Sequence, residues 1–237
     1  FLTDTLSALN SYRGGAAAYI DAVAFHYYPI NGEWETIREK TAEIKGIMTR
    51  HDVGDLPMIC PEMGYWSSPN HHDSSEKEQA RRVVEMYIRG LSMDVQQLSW
   101  FKVFDSVVAG SEEDEYPADT SGLFRVDGSA KPSYYAYRTM TEELAQAQYL
   151  REIDGENVEG YVFETADGRE KTVVWATAPG GATVDFPYGC LRLVDTEGNE
   201  YTPISDGDTN WDHDGAVNGQ IALAVYYDTP FYVVPCR

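Results

Sequence analysis

The stretch Leu56-Pro-Met-Ile-Cys-Pro-Glu-Met-Gly-Tyr-Trp66 decides how the chain is read. A short apolar run, Met58-Ile59-Cys60, stops at Pro61, and a carboxylate follows at once in Glu62, then Gly64, Tyr65 and Trp66. An apolar run this short, lying between helical patterns, reads as a strand covered on both faces. In a parallel α/β sheet the carboxyl ends of the strands line the functional face. Glu62 is therefore expected to point into a cleft beside aromatic rings, with Gly64 letting the chain turn sharply. A strand-end acid that only caps a loop or forms a surface ion pair fits the same residues, so the weight falls on the flanking units.

On the amino-terminal side, Leu2, Leu6 and Leu9 recur at helical spacing before a break at Gly14-Gly15. Ile20 to Tyr28 reads as a strand closed by Pro29, with Ala24, His26 and Tyr28 on one face and Val23, Phe25 and Tyr27 on the other. Ile37, Thr41, Ile44 and Met48 then form a helical stripe. On the carboxyl side, Ser75-x-x-Glu78 reads as a capping box opening a helix whose apolar face is Ala80, Val83, Val84, Tyr87, Ile88 and Leu91. Gln96 to Phe104 is the third strand. An acidic loop, Ser111-Glu-Glu-Asp-Glu-Tyr-Pro117, precedes a helix that starts at Pro132 and runs to about Gln146. Strands alternating with helices imply a parallel sheet with right-handed crossovers, and three strands alone leave two open edges.

From Tyr149 the period changes to two. Val158–Glu164, Thr172–Thr177, Ala182–Phe186, Leu191–Asp195, Gln220–Tyr226 and Phe231–Val234 read as short strands separated by turns such as Ala166-Asp-Gly168, Pro179-Gly-Gly181 and Glu197-Gly-Asn199. Such a series argues an antiparallel β-sandwich over residues 147–237, after an α/β segment over residues 1–146.

With 18 basic against 39 acidic residues, the formal net charge is −21, which makes nucleic acid and anionic membranes poor partners. No apolar run approaches the ~20 residues that span a bilayer. The opening residues lack the regions of a signal peptide, and with no initiating Met the chain is expected to begin inside a longer protein. The compartment is not legible, with a secreted or extracytoplasmic one slightly favoured. The three cysteines, Cys60, Cys190 and Cys236, fit no metal spacing. Cys60 reads as a buried thiol, while Cys190 and Cys236 could pair if strands bring them together.

Taken together, Phe25-His26-Tyr27-Tyr28, Pro61-Glu62-Met63-Gly64, Ser99-Trp100-Phe101 with Asp105, Gly122-Leu-Phe124 and Lys131-Pro132-Ser-Tyr-Tyr-Ala136 resemble the last three β/α units of a clan A retaining glycoside hydrolase. The resemblance implies an α/β fold: the carboxyl-terminal part of a (β/α)8 barrel, followed by an antiparallel β-sandwich. It implies an oligo- or polysaccharide substrate with β-linked sugars, no cofactor, and Glu62 as the nucleophile at the end of the seventh strand. Retaining hydrolysis needs a second carboxyl group ~5–5.5 Å away as acid and base. In this clan that glutamate ends the fourth strand, to which nothing here corresponds. The missing strands would come from the same gene or from a second chain.

The resemblance makes Tyr28 the donor to the Glu62 carboxylate, lets His26 contact sugar hydroxyls, and makes Trp100 the platform beneath the cleaved sugar. Trp66 and Trp34 could extend the groove, or could anchor loops. Asp105 either bonds a substrate hydroxyl or caps its loop. Asp206, Asp208, Asn210, Asp212 and Asp214 are spaced as in a calcium loop but lack its glycine and closing glutamate; a solvated acidic turn fits as well. His71-His72-Asp73 reads as an exposed loop and cap rather than a zinc site. Xylosidase-like, glucanase-like and galactosidase-like specificities all stay open. A non-catalytic carbohydrate-binding or scaffold protein with a degenerate barrel is the rival from another class. A doubly wound domain with another ligand lacks any Gly-rich phosphate loop.

Overall fold

The computed structural model describes residues 1–29, 36–68, 74–107, 119–201 and 203–236. Two compact units form: Phe1–Tyr65 with Arg89–Val103, and Trp66–Ile88 with Phe104–Arg237. The change of secondary-structure type falls elsewhere, between the last helix and the strand that begins at Gln148.

In the first unit, β1 (Val23–Tyr27), β2 (Met58–Met63) and β3 (Val95–Trp100) form a parallel sheet in that order. The expected alternation is present in β1, where Val23, Phe25 and Tyr27 are buried and Ala24 and His26 are exposed. Helix α1 (Leu2–Asn10) buries Leu6, and α2 (Ile37–Arg50) buries Ile37, Thr41, Ile44 and Met48, the stripe its spacing implies. A full capping box starts α2: the Glu39 amide donates to Thr36 Oγ1 at 3.3 Å and the Thr36 amide to Glu39 Oε2 at 3.1 Å. Helix α3 (Glu76–Ser92) begins in the second unit and ends in the first. Its box is half made. The Glu78 amide donates to Ser75 Oγ at 3.1 Å, while the Glu78 carboxylate is bonded by Arg81 and Arg82. In the last turn of α3, Gly90 leaves room for Leu98: a Cβ there would meet the Leu98 side chain at 2.8 Å.

The expectation that β2 is covered on both faces needs correcting. Met58, Cys60 and Met63 are buried, but Ile59 and Glu62 are only half-buried, on the same face as exposed Ala24 and His26. A register irregularity between Cys60 and Met63 lets Glu62, rather than Pro61, share the face of His26.

The second unit holds α4 (Pro132–Glu143) and eight antiparallel strands: β4 (Gln148–Gly155), β5 (Val158–Glu164), β6 (Glu170–Ala176), β7 (Ala182–Phe186), β8 (Cys190–Val194), β9 (Ile204–Ser205), β10 (Ile221–Val225) and β11 (Phe231–Pro235). Six of them form one sheet in the order β4-β5-β6-β11-β8-β9, and β10 pairs with β7. Apolar residues of both sheets, among them Val174, Phe186, Leu193, Leu223 and Val233, make one buried core.

Pairing of β11 with β8 brings Cys236 to Cys190, and the two form a disulfide across a sequence separation of 46. A loop of that length corresponds to ~4 kcal/mol in the chain-entropy treatment, within the usual ~2–4 kcal/mol. Replacing both cysteines by serine is expected to lower the urea midpoint accordingly; an unchanged midpoint with unchanged slope would show that the bridge constrains nothing. Cys60, by contrast, is a free buried thiol, pushed up to about 11 chiefly by its burial.

Candidate active site

Three strand ends build the site. At the end of β2, Glu62 keeps about a third of its side chain exposed. Just past β1, the Tyr28 hydroxyl donates to Glu62 Oε1 at 2.5 Å, the length of a strong charge-assisted bond. His26 is the ladder partner of Glu62, and its Nδ1 lies 3.8 Å from the same oxygen, too far for a hydrogen bond. One carboxylate oxygen is thus held by a phenol and faced by an imidazole. The chain after Glu62 is fixed tightly. A Cβ on Gly64 would stand 2.5 Å from the Phe101 carbonyl oxygen and 3.0 Å from the Tyr28 ring. The glycine is needed for close approach, not for an unusual turn.

The third strand end departs from expectation. Trp100 is half-buried, and its ladder partner is the fully buried Met63. Leu98, two residues earlier, packs where Gly90 leaves space, and Trp100 shares its parity along the strand. The open face of β3 carries Gln97 and Ser99, whose side chains bond at 3.3 Å. Two residues further along stands Phe101, 40% exposed, its amide donating to the Met63 carbonyl at 2.7 Å. The ring beside the Glu62 strand end is therefore Phe101. Counting by twos from Ser99 reaches it.

Of the two readings open for Asp105, its partners fit the one that holds its loop. It is buried, and Oδ1 accepts from Lys131 Nζ at 2.7 Å and from the Gly122 amide at 2.9 Å. Burial pushes its carboxyl upward and the Lys131 ammonium downward, and each group opposes the shift of the other. Lys131 further donates to Ser67 Oγ at 2.9 Å and to the Thr120 carbonyl at 3.0 Å. Gln79 joins by donating to the same carbonyl at 3.1 Å and accepting from Ser133 Oγ at 2.9 Å. A Cβ on Gly122 would come within 2.3 Å of the Asp105 nitrogen, so the two segments touch backbone to backbone. This hub was not legible as such, because its members are scattered from Ser67 to Ser133.

Trp66 is half-buried at the start of the second unit, while Trp34, His71, His72 and Asp73 lie outside the described residues, as does the acidic loop 111–117. In the acidic turn, Asp212 accepts from the Gly207 and Ala222 amides, Asp206 from the Asn218 and Gly219 amides, and Asp214 from the Ala216 amide. These are hydrogen bonds that shape a turn. Among the described residues no group of three or more His, Cys, Asp or Glu side chains is arranged to hold a metal ion. Likewise among the described residues, no helix is long and apolar enough to cross a membrane.

No protein-family model matches the chain, and no curated protein sequence does. Solved structures do match. A family 39 glycoside hydrolase from Bacteroides cellulosilyticus WH2 aligns with a TM-score of 0.63 at 21% identity, covering 83% of this chain and 38% of that one. A family 39 β-xylosidase from Caulobacter crescentus aligns at 0.59 and 16% identity, covering 100% of this chain and 55% of that one. The catalytic domain of a family 30 xylanase C from Talaromyces cellulolyticus aligns at 0.56 and 13% identity, covering 98% and 48%. The chain thus spans between about four-tenths and just over half of the length of these structures. Its fold is that of part of a clan A glycoside hydrolase.

Proposed function

We propose that this chain is the carboxyl-terminal part of a retaining glycoside hydrolase that cleaves β-linked glycosides through a covalent glycosyl-enzyme, with Glu62 as nucleophile. The observation that carries the reading is the Tyr28 hydroxyl donating at 2.5 Å to Glu62 at the carboxyl end of a parallel strand. A carboxylate that attacks an anomeric carbon must present one oxygen while the other is held still. A phenol does this without placing a competing cation beside the nucleophile. His26, more than half exposed on the same face, is free to meet sugar hydroxyls, and Phe101 offers an apolar ring to the C–H face of a pyranose.

In this reading β1 to β3 are the last strands of a (β/α)8 barrel, and the two antiparallel sheets are its β-sandwich companion. The acid/base carboxyl group, ~5–5.5 Å from Glu62 in the working enzyme, comes from the remaining barrel strands. Those strands belong to the same gene or to a second chain, so the 237 residues alone do not turn over substrate. The substrate is an oligo- or polysaccharide. A disulfide between Cys190 and Cys236 fits a secreted or extracytoplasmic enzyme.

The test is covalent labelling. In the complete enzyme, a 2-deoxy-2-fluoro glycoside with a good leaving group should accumulate as an adduct on the peptide containing Glu62, read by mass spectrometry. Glu62→Gln should show none. An adduct on another carboxylate, or labelling that survives the substitution, would end the assignment.

A further inference from the structure

A cleft of about 400 Å³ lies in the second unit, on none of the strand ends described above. The first turns of α3, with Lys77, Ala80 and Arg81, form one wall, and Pro132 at the start of α4 adjoins them. The opposite wall is the turn after β8, Asp195 to Glu197, with Tyr201 and the β10–β11 connection from Tyr226 to Phe231. Its size falls in the ~300–1,000 Å³ range of small-molecule sites.

The chemistry of the walls narrows the occupant. Phe231 is buried, and the rings of Tyr226 and Tyr201 stand edge-on to it at 6.2 and 6.4 Å. Tyr226 leaves half of its surface in water, at 51% exposure, although its backbone is pinned by a bridge to Thr229 and by the Ala176 amide. An exposed ring on a fixed backbone is a preorganised apolar plate. Both cations are already neutralised: Lys77 is ion-paired with Asp228, and Arg81 with Glu78 and Glu85. An anionic ligand would meet Asp195, Glu197 and Asp228 with no free positive charge to receive it. A purely apolar ligand would strip water from the Lys77–Asp228 pair and the Thr196 and Thr229 hydroxyls without replacing it. A neutral ligand with one C–H face and many hydroxyls suits both the plate and the rim.

We propose that this cleft is a second saccharide-binding site, separate from Glu62, which seats one or two sugar units of a neutral polysaccharide on Tyr226 and bonds their hydroxyls at the Lys77–Asp228 rim. The choice of a saccharide rests on the glycoside hydrolase reading, while the site itself does not use Glu62. Such a site would keep a polymer attached while the strand-end site samples it.

The experiment is affinity electrophoresis of the 237-residue chain in native gels containing soluble arabinoxylan or mixed-linkage β-glucan. The chain is expected to be retarded in at least one of them. Tyr226→Ala should weaken that retardation roughly tenfold in apparent Kd, the upper end of what one ring contact supplies. Tyr226→Trp should keep it, which separates a lost plate from a misfolded variant, and Val217→Ala, at an exposed position that lines neither site, should leave it unchanged. Tyr226→Ala retarded as strongly as the unaltered chain would overturn the proposal, as would no retardation in either gel or an equal loss in Val217→Ala. Failure of Glu62 labelling alongside Tyr226-dependent retardation would remove the hydrolase reading and leave this site standing.

Discussion

Lys131→Met should destabilise the second unit by roughly 3–5 kcal/mol, the cost of leaving a buried charge without its partner. The Lys131 side chain is 1% exposed and donates three hydrogen bonds, to Asp105, Ser67 and the Thr120 carbonyl. Without the ammonium, the Asp105 carboxylate keeps the Gly122 amide as its partner in the hub, still in a site closed to water. Surface pairs in the same unit, such as Arg151 with Glu170, bear no comparison; both partners are more than a third exposed and contribute ~0–1 kcal/mol. At ~2–4 °C per kcal/mol for chains of this size, the melting temperature should fall by roughly 10 °C. Adding Asp105→Leu to Lys131→Met removes the orphaned charge and should restore part of the loss, a coupling that independent sites would not display. A urea titration in which the single variant loses less than about 1 kcal/mol would show that the hub is not what holds the segments together.

That hub marks the boundary of what the chain reveals on reading. Periodicity located nearly every element, because one buried face leaves a trace every second or every third and fourth residue. Val23, Phe25 and Tyr27 in β1 and Ile37, Thr41, Ile44 and Met48 in α2 are buried as their spacing demands. Where burial is partial the trace fades. In β4, Gln148-Tyr-Leu-Arg-Glu-Ile-Asp-Gly155 puts charged residues among its apolar ones, and β9 is two residues long; neither was anticipated. Cys190 and Cys236 pair because β11 inserts between β6 and β8, a sheet order that no local pattern encodes.

The site was legible through its carboxylate and its phenol, and misjudged at its ring. The pairing of Tyr28 with Glu62 is what the resemblance implies, and the parallel register of β1 and β2 sets the two strand ends side by side. The resemblance implies Trp100 as the platform, yet a strand decides direction by parity, and Trp100 has the parity of Leu98 while Phe101 has that of Ser99. Asp105 likewise has the composition of a ligand and the surroundings of a brace. Composition nominates residues; only register and burial assign them.

Tyr28→Phe in the complete enzyme should reduce kcat by roughly 10- to 100-fold while KM changes little. A hydrogen bond to a charged group contributes ~1.5–3 kcal/mol, and each ~1.4 kcal/mol is a factor of ten in rate. The bond at 2.5 Å fixes which Glu62 oxygen is held, and so, in the proposed reaction, which one would attack the sugar. Losing it lets the carboxylate rotate, and misdirection is felt in the covalent step rather than in binding. Phenylalanine keeps the ring beside Gly64, where a Cβ would stand only 3.0 Å from the tyrosine ring, so packing of the strand end should survive. His26→Ala provides the contrast. Its nitrogen lies 3.8 Å from the same oxygen, beyond hydrogen-bond reach, so it should act on KM through sugar hydroxyls and leave kcat within a few-fold. Burst kinetics with an activated aryl glycoside separate the two steps, since Tyr28→Phe should slow the burst itself. Should the histidine variant lose the burst and the phenylalanine variant keep it, the phenol is a bystander and the imidazole is the group that positions Glu62.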